Sequence, residues 1–201
     1  LIANRQAEDI RQLLGGGCVS LPARELEFTR AAQSQESTWQ RLSVLCALRR
    51  GEARVLCLSA EGWMDRLPPA DSFDRAMIAL EEGEDRDPQA LLEALVHNGY
   101  ERVDMVEGQG QCALRGALVD VYPPNLPEAV RIEFFGDQID SLRLFDCISQ
   151  RSLRREKRVV LAPATECLLP PEEWEPASLR LKAALEAELG QAAPAQTAAV
   201  P

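Results

Sequence analysis

The sequence has few of the residues from which active sites are usually built. It contains one histidine, His97, which lies at the end of an apolar helical segment, where a cation suits the helix dipole. That position favours a structural role. We identify no Ser-His-Asp or Cys-His set, and no pair of carboxylates placed for general acid and base catalysis. The sequence therefore predicts a binding module without catalytic residues of its own.

The glycines and cysteines give no cofactor or metal site. The run Gly15-Gly16-Gly17 follows a helical segment and lacks the Lys-Ser/Thr of a phosphate loop, so we interpret it as the end of a helix. The six cysteines are widely spaced, form no CxxC pair and in several cases have apolar neighbours. We therefore predict buried thiols, with no disulfide, metal ion or cofactor in this chain.

Long apolar runs and positive charge are also scarce. No run approaches the ~20 residues that a membrane helix needs, and no signal-peptide pattern is present, which favours a cytoplasmic protein without membrane contact. The formal net charge is −10, so the chain has no basic field for non-specific nucleic-acid binding. Only RSLRREKR at 151–158 is locally basic, and we interpret it as a solvated turn. The first residue, Leu1, is not methionine, which suggests a piece of a longer protein.

Residues 1–75 predict an α/β segment. Ala7, Ile10 and Leu14 have helical spacing before the glycine run, and CVSL and RVLCLS are short apolar strands. Between these strands, residues 37–40 fit a capping box that opens a second helix. Its inward residues are expected to be Leu42, Leu45, Cys46 and Leu48. Strands alternating with helices favour a parallel sheet, although this segment is too small to be a complete domain of that kind.

From Ala76 onward the pattern predicts an α+β module that extends to residue 164. AMIAL is a candidate strand, an acidic turn follows at 81–87, and Asp87-Pro88 provides an N-cap and a proline at the first helical position. The inward face of that helix is expected to be Leu91, Leu92, Leu95 and Val96. Closely spaced strands then favour an antiparallel sheet. Within residues 165–190, SLRLKAALEAEL predicts a helix with an apolar stripe that ends at Gly190, and 191–201 predict a flexible tail.

The stretch VRIEFF at 130–135 raises a specific question about Phe135. Alternation along a strand places Val130, Ile132 and Phe134 on one face, which is an ordinary core face. The opposite face then carries Arg131, Glu133 and Phe135. A phenyl ring between charged residues is typical of an interface anchor. The alternative is that a loop or the 91–96 helix covers the ring.

The residues from Gly99 to Asp146 resemble a module shared by the nucleotide-excision-repair protein UvrB and the transcription-repair coupling factors. Both families have GEF-x-x-RGG-x-x-D-x-FP followed by R-x-E-F-F-x-D-E-I-[DE]-S-[LI]-R-x-FD. This sequence matches the pattern at Arg115-Gly116, Asp120, Tyr122-Pro123, Arg131 to Phe135, Asp137, and Ile139 to Asp146. Residues 27–40 leave no room for the tyrosine-rich, DNA-gripping hairpin of UvrB, so the coupling-factor form is the better match.

The resemblance implies a fold and a partner. It implies a second half of a helicase-like domain 1a at 1–75 and an inserted domain 2 at 76–164 that binds UvrA, the damage-recognition ATPase. The start of a domain 1b would follow at 165–190. The family's UvrA-binding residues carry over to Arg115, Arg131 and Phe135, with Glu133 and Arg143 as additional interface candidates. The parent protein would be an ATP- and Mg²⁺-dependent DNA translocase that displaces stalled RNA polymerase from double-stranded DNA.

Two other interpretations of the module remain open at this stage. One is a fragment of a UvrB-type excinuclease subunit, and the other is a structural or autoinhibitory domain whose sheet face packs on its own chain. For Arg115 in particular, structural pairing with Asp120 or Glu133 is an alternative to an interface role, although one guanidinium can serve both.

Overall fold

The computed structural model describes residues 2–24 and 35–191. The chain separates into two compact units, residues 1–168 and 169–201. In the first unit the helices are α1 (Ile2–Leu14), α2 (Gln35–Arg49), α3 (Ala60–Met64), α4 (Ala70–Ala76) and α5 (Pro88–His97). Its strands are β1 (Cys18–Leu21), β2 (Val55–Leu58), β3 (Ile78–Glu81), β4 (Glu101–Arg102), β5 (Gln111–Arg115), β6 (Leu118–Val121), β7 (Ala129–Phe135), β8 (Gln138–Phe145), β9 (Ser152–Glu156) and β10 (Arg158–Leu161).

The second unit contains one described helix, α6 (Pro171–Gln191). It begins well before the predicted SLRLKAALEAEL stretch and includes Pro176 in its interior. Gly190, expected to end the helix, lies within its last turn. The predicted tail at 191–201 lies almost entirely outside the described residues, and the domain boundaries at 75/76 and 164/165 stay predictions.

The α/β segment has the predicted parallel strand pair. β1 and β2 pair in parallel, with Cys18 opposite Val55 and Leu21 opposite Leu58. The connection between them includes α2, as a parallel pair requires. The fold is thus mixed α/β with a separate antiparallel sheet, and a helicase-like arrangement of the first segment stays a prediction.

Two helix starts in this segment differ from the prediction. The capping box at 37–40 is wrong, because α2 already includes Gln35 and Ser37 lies inside its first turn. Helix α4 was not predicted. It begins after Pro69, and no side chain caps it. By contrast, the Ser59 side chain accepts a hydrogen bond from the backbone N–H of Gly62 and marks the start of α3.

The antiparallel module is confirmed, and α5 packs on one face of its sheet. The strand order is β4-β5-β6-β7-β8-β9, antiparallel throughout except for the parallel β4–β5 pair, while β3 and β10 form a separate antiparallel pair. Asp87 caps α5 by accepting from the N–H groups of Gln89 and Ala90, as predicted. Val96, predicted to face inward, is instead 46% exposed. The core side of the module comprises Leu91, Leu92, Leu95, Val119, Val130, Ile132, Phe134 and Leu142 among others.

The basic run at 151–158 is not the predicted turn. Its residues Ser152–Glu156 form β9, which pairs with β8 at the edge of the sheet. Four of these five side chains are exposed and the fifth is half-buried, so the strand has no alternating apolar pattern by which it could be recognised. The strand β9 is recognised in the structure only by its backbone hydrogen bonds to β8.

The cysteine prediction is confirmed in part. Cys18, Cys46 and Cys112 are buried free thiols, but Cys167 is exposed. Burial raises the pKa of the Cys112 thiol to about 11. Among the described residues, no group of histidine, cysteine or acidic side chains could hold a metal ion. In the same ranges, no helix has the length and apolarity needed to cross a membrane.

Replacing Gly110 with alanine should lower the free energy of unfolding by about 2–4 kcal/mol. Gly110 has φ of +76°, and a Cβ there would lie 2.8 Å from a ring carbon of Trp39. The variant therefore adds a steric clash to the cost of a left-handed backbone. Urea denaturation measures the change.

Gly116→Ala is the matched control for this variant. Gly116 also has positive φ, at +61°, but a Cβ at this position would meet no described atom within 4 Å. The substitution should cost only about 1–2 kcal/mol. Equal losses in the two variants would show that Trp39 moves aside without penalty.

Candidate protein-docking face

The β7–β8 hairpin exposes Phe135 on the sheet face opposite α5. Phe135 pairs with Gln138 across the Gly136-Asp137 turn, where Gly136 has φ of +63°. The side chain of Phe135 is 83% exposed, whereas the preceding Phe134 is buried in the core. The alternative in which a loop or the 91–96 helix covers the ring is therefore wrong.

Asp120 is the centre of the charged part of this face. It is buried on β6 and lies directly opposite Arg131 of β7. Arg131 donates from Nε to Oδ1 at 2.8 Å and from Nη2 to Oδ2 at 2.9 Å, while Arg115 Nη2 donates to Oδ2 at 2.6 Å. One carboxylate thus orients two arginines, and the pairing of Arg115 with Asp120 considered from the sequence is confirmed.

Further contacts hold the Arg131 guanidinium in place. It stacks over the buried Phe145 ring, 4.4 Å from the ring centroid, and Nη2 also donates to Gln150 Oε1 at 3.0 Å. Hydrogen bonding to Asp120 raises the pKa of Arg131, so the group is charged under all ordinary conditions. The side chain is only 15% exposed, against 40% for Arg115. Arg115 is therefore the more accessible cation of the two.

Glu133 and Arg143 form a second contact on the same face. Ser141 donates from Oγ to Glu133 Oε2 at 2.6 Å, and Arg143 Nε lies 3.5 Å from the same oxygen. Arg143 is 39% exposed and lies opposite Arg131 on one side and Arg155 on the other. A row of charged residues thus crosses four strands, consisting of Asp120, Arg131, Arg143 and Arg155.

We call this surface the arginine face and define it by Arg115, Asp120, Arg131, Glu133, Phe135 and Arg143. The sheet brings all five predicted site residues onto it, with the arginines held in place before any partner binds. An exposed ring on the same sheet face as fixed guanidinium groups suits a protein surface that offers an apolar pocket and nearby carboxylates. Preorganised donors lose little conformational entropy on binding.

Sequence reasoning missed several supporting residues of this face. Asp120 was considered as a partner for Arg115 alone, but it serves Arg131 as well. Gln150 was not considered. It lies in the β8–β9 connection with φ of +58°, and no periodic pattern marks such a residue. Phe145 was not considered either, although its ring lies under the Arg131 guanidinium.

Comparison with known proteins identifies one matching family model and several similar proteins. Residues 78–167 match the family model of the UvrB interaction domain. The chain is 34% identical over 189 residues to the transcription-repair-coupling factor of Bacillus subtilis, covering 93% of this chain and 16% of the relative. It is 34% identical over 179 residues to that of Myxococcus xanthus, covering 85% and 15%. For that of Staphylococcus epidermidis the values are 33% over 156 residues, 78% and 13%. The chain thus spans less than a fifth of the length of these relatives.

Proposed function

We propose a recruitment function, from the premise that this chain belongs to the family of transcription-repair-coupling factors and contains a UvrB interaction domain at residues 78–167. In this proposal the module docks on UvrA, and the arginine face is the docking surface. The chain carries no catalytic step. It would bring the repair machinery to the rest of a longer protein.

The observation that carries the proposal is the exposure of Phe135. The phenyl ring is 83% exposed on the face that carries the ordered arginines, so a partner that buries it there removes apolar surface from water. It lies at the end of β7 on the same sheet face as Arg131 and Glu133, where an apolar anchor would have charged contacts along the strand. We expect the ring to enter an apolar groove on UvrA.

The arginines have unequal roles in this docking. Arg115 and Arg143 are about two-fifths exposed and can reach carboxylates on the partner. Arg131 gives most of its donors to Asp120 and Gln150, so it mainly supports the face and adds positive potential. Charges of this kind chiefly raise the association rate and select the orientation of the partner.

The activity of the whole protein is a wider proposal that rests on the family alone. We propose that the parent is a bacterial, cytoplasmic DNA translocase that uses ATP and Mg²⁺ to displace stalled RNA polymerase from double-stranded DNA. This chain would couple that event to nucleotide excision repair. A structural or autoinhibitory role of the arginine face is the second candidate, because an exposed anchor can also be covered by another part of its own protein.

Phe135→Ala should weaken UvrA binding by about 2 kcal/mol or more, roughly thirtyfold in Kd. Isothermal calorimetry of the 201-residue chain with purified UvrA measures this. The stability of the variant should be unchanged, because the ring has almost no contact to lose. Trp63→Ala is the matched control, since Trp63 is an aromatic residue with 78% exposure on α3, away from the sheet.

Three outcomes decide between the candidates. Loss of binding with Phe135→Ala and not with Trp63→Ala supports recruitment through the arginine face. Equal loss in both variants, or none in either, would place the docking surface elsewhere on the chain. If the wild-type chain does not bind UvrA at all, the recruitment function is wrong and a structural role of the face is favoured.

A further inference from the structure

A second surface lies at the edge of the six-stranded sheet. Strand β9 is the last strand in the order, and no described strand pairs with its outer side. Residues 151–155 are all exposed, so no described element covers that edge. Alternate backbone N–H and C=O groups of such a strand are free to pair with another extended chain.

This edge is basic on a strongly acidic chain. Residues 151–158 contain five basic side chains and one acidic one, while the formal net charge of the whole chain is −10. Arg154 pairs with Glu156 and, at 3.9 Å, with Glu128, while Arg155 pairs with Glu82. Arg158 has no ion pair among the described residues. The edge therefore keeps a positive charge after its own ion pairs are formed.

A cavity of about 460 Å³ adjoins the same strand on the core side of the sheet. Leu126, Leu144 and Val159 supply its apolar wall, and its charged lining consists of three arginines and one carboxylate, namely Arg50, Arg154, Arg158 and Glu156. Arg154 of β9 lies directly opposite the core residue Leu144 of β8. A side chain from a strand added at β9 can thus reach an apolar hollow bordered by guanidinium groups.

We propose that the β9 edge and this cavity bind an acidic, extended polypeptide segment by strand addition. The backbone of the segment pairs with β9, its carboxylates meet Arg154, Arg158 and their basic neighbours, and one apolar side chain enters the cavity. Main-chain pairing supplies affinity in this mode of recognition, and pockets for alternate side chains supply specificity.

The surface fits a peptide better than a nucleic acid. A free strand edge offers donors and acceptors at the spacing of another polypeptide, which a phosphate backbone does not use. None of the described residues that line the cavity is an aromatic on which a base could stack, and the field of the whole chain is negative. Arg154 and Arg158 are not part of the arginine face, so this inference does not depend on UvrA docking.

The probe for this site is a fluorescein-labelled octapeptide of glutamates with one central leucine, so that carboxylates and the apolar side chain can lie on the same face of the added strand. Fluorescence anisotropy with the 201-residue chain should show saturable binding that weakens as salt is added. The same peptide with N-methylated amides keeps the charge and removes the backbone donors, so its Kd should rise at least about tenfold. In ¹⁵N spectra, the amide signals of β9 should shift with the first peptide and not with the second.

Charge reversal locates the site. Arg154→Glu/Arg158→Glu should raise the Kd of the octapeptide at least about tenfold. The matched control is Arg66→Glu/Arg102→Glu, which makes the same change at two exposed arginines, one of them on the opposite edge strand β4. Arg154→Gln/Arg158→Gln replaces the first variant if that variant proves unfolded by circular dichroism.

Several results would overturn the proposal. These are no binding of any octapeptide in the series, equal binding of the N-methylated peptide, or equal loss in the control variant. Tighter binding of a 20-base-pair duplex at the same arginines would assign the surface to nucleic acid instead. A homodimer that Arg154→Glu/Arg158→Glu dissociates in sedimentation would assign it to a second copy of the chain.

Discussion

Asp120→Ala should lower the free energy of unfolding by about 3–5 kcal/mol, because it leaves buried positive charge without a partner. Asp120 is 1% exposed and is the shared acceptor of Arg115 and Arg131. Arg131 cannot turn outward freely, since its guanidinium lies over Phe145 and is held by Gln150. The variant therefore removes the acceptor of three hydrogen bonds and leaves one arginine largely buried.

Denaturant titration of Asp120→Ala beside Asp140→Ala tests this expectation. Asp140 is an exposed carboxylate of the same sheet, so its removal should change the stability little. A double-mutant cycle with Arg115→Ala then separates the contribution of Arg115 from that of Arg131. A loss below about 1 kcal/mol in Asp120→Ala would mean that the two arginines find water or other partners without cost.

The same variant connects stability with recruitment. At concentrations of denaturant where Asp120→Ala remains folded, Arg115 has lost its acceptor, and Arg131 keeps only Gln150 and the Phe145 ring as contacts. UvrA binding should weaken even though neither arginine nor Phe135 has been replaced. Such a result would support the view that Asp120 organises the face and does not itself contact the partner.

The residues that form the sheet were predictable because one side of it is core. Val130, Ile132 and Phe134 alternate with Arg131, Glu133 and Phe135, and the structure puts the two sets on opposite faces. A β-bulge between Glu133 and Phe134 shifts the register against β8 without exchanging those faces. The alternation of residues does not predict how exposed the Phe135 side chain is, because its exposure depends on distant parts of the chain.

Other features have no local signal. β9 is formed by pairing with β8, and its exposed side chains show no period, so its sequence suggests a turn. Helix α4 lacks a capping side chain. The burial of Arg41 on α2 was also missed, since arginine at a helical position ordinarily predicts a solvated face. Its partners are far away in sequence, with Glu166 separated from it by 125 residues.

Arg41 is the centre of an ion-pair network that joins the first segment to Glu166, just after the antiparallel module. Its Nε donates to Glu166 Oε1 at 2.6 Å, and its Nη1 donates to the backbone oxygen of Pro22 at 2.5 Å and to Asp65 Oδ2 at 3.0 Å. Arg24 adds an ion pair to Glu166 and a backbone hydrogen bond to Asp65. Elements from both ends of the first unit thus converge on one guanidinium.

Arg41→Ala should therefore lower the free energy of unfolding by about 3–5 kcal/mol, because Glu166 and Asp65 lose their buried partner together. Arg49→Ala is the matched control. Arg49 lies on the same helix and pairs with Asp74 at the surface, where screening by water leaves little stability to lose. Denaturant titration compares the two variants.

Hydrogen exchange provides a second test of Arg41→Ala, because it shows which parts of the chain lose protection. Hydrogen exchange should increase in α2, in residues 22–24 and around residue 166, while the β5–β8 strands keep their protection. Uniform loss of protection would instead mean that the first segment and the antiparallel module unfold as one cooperative unit. A variant as stable as Arg49→Ala would contradict the assigned role of Arg41, and the contacts of Leu42, Leu45 and Phe73 would then hold the two parts together.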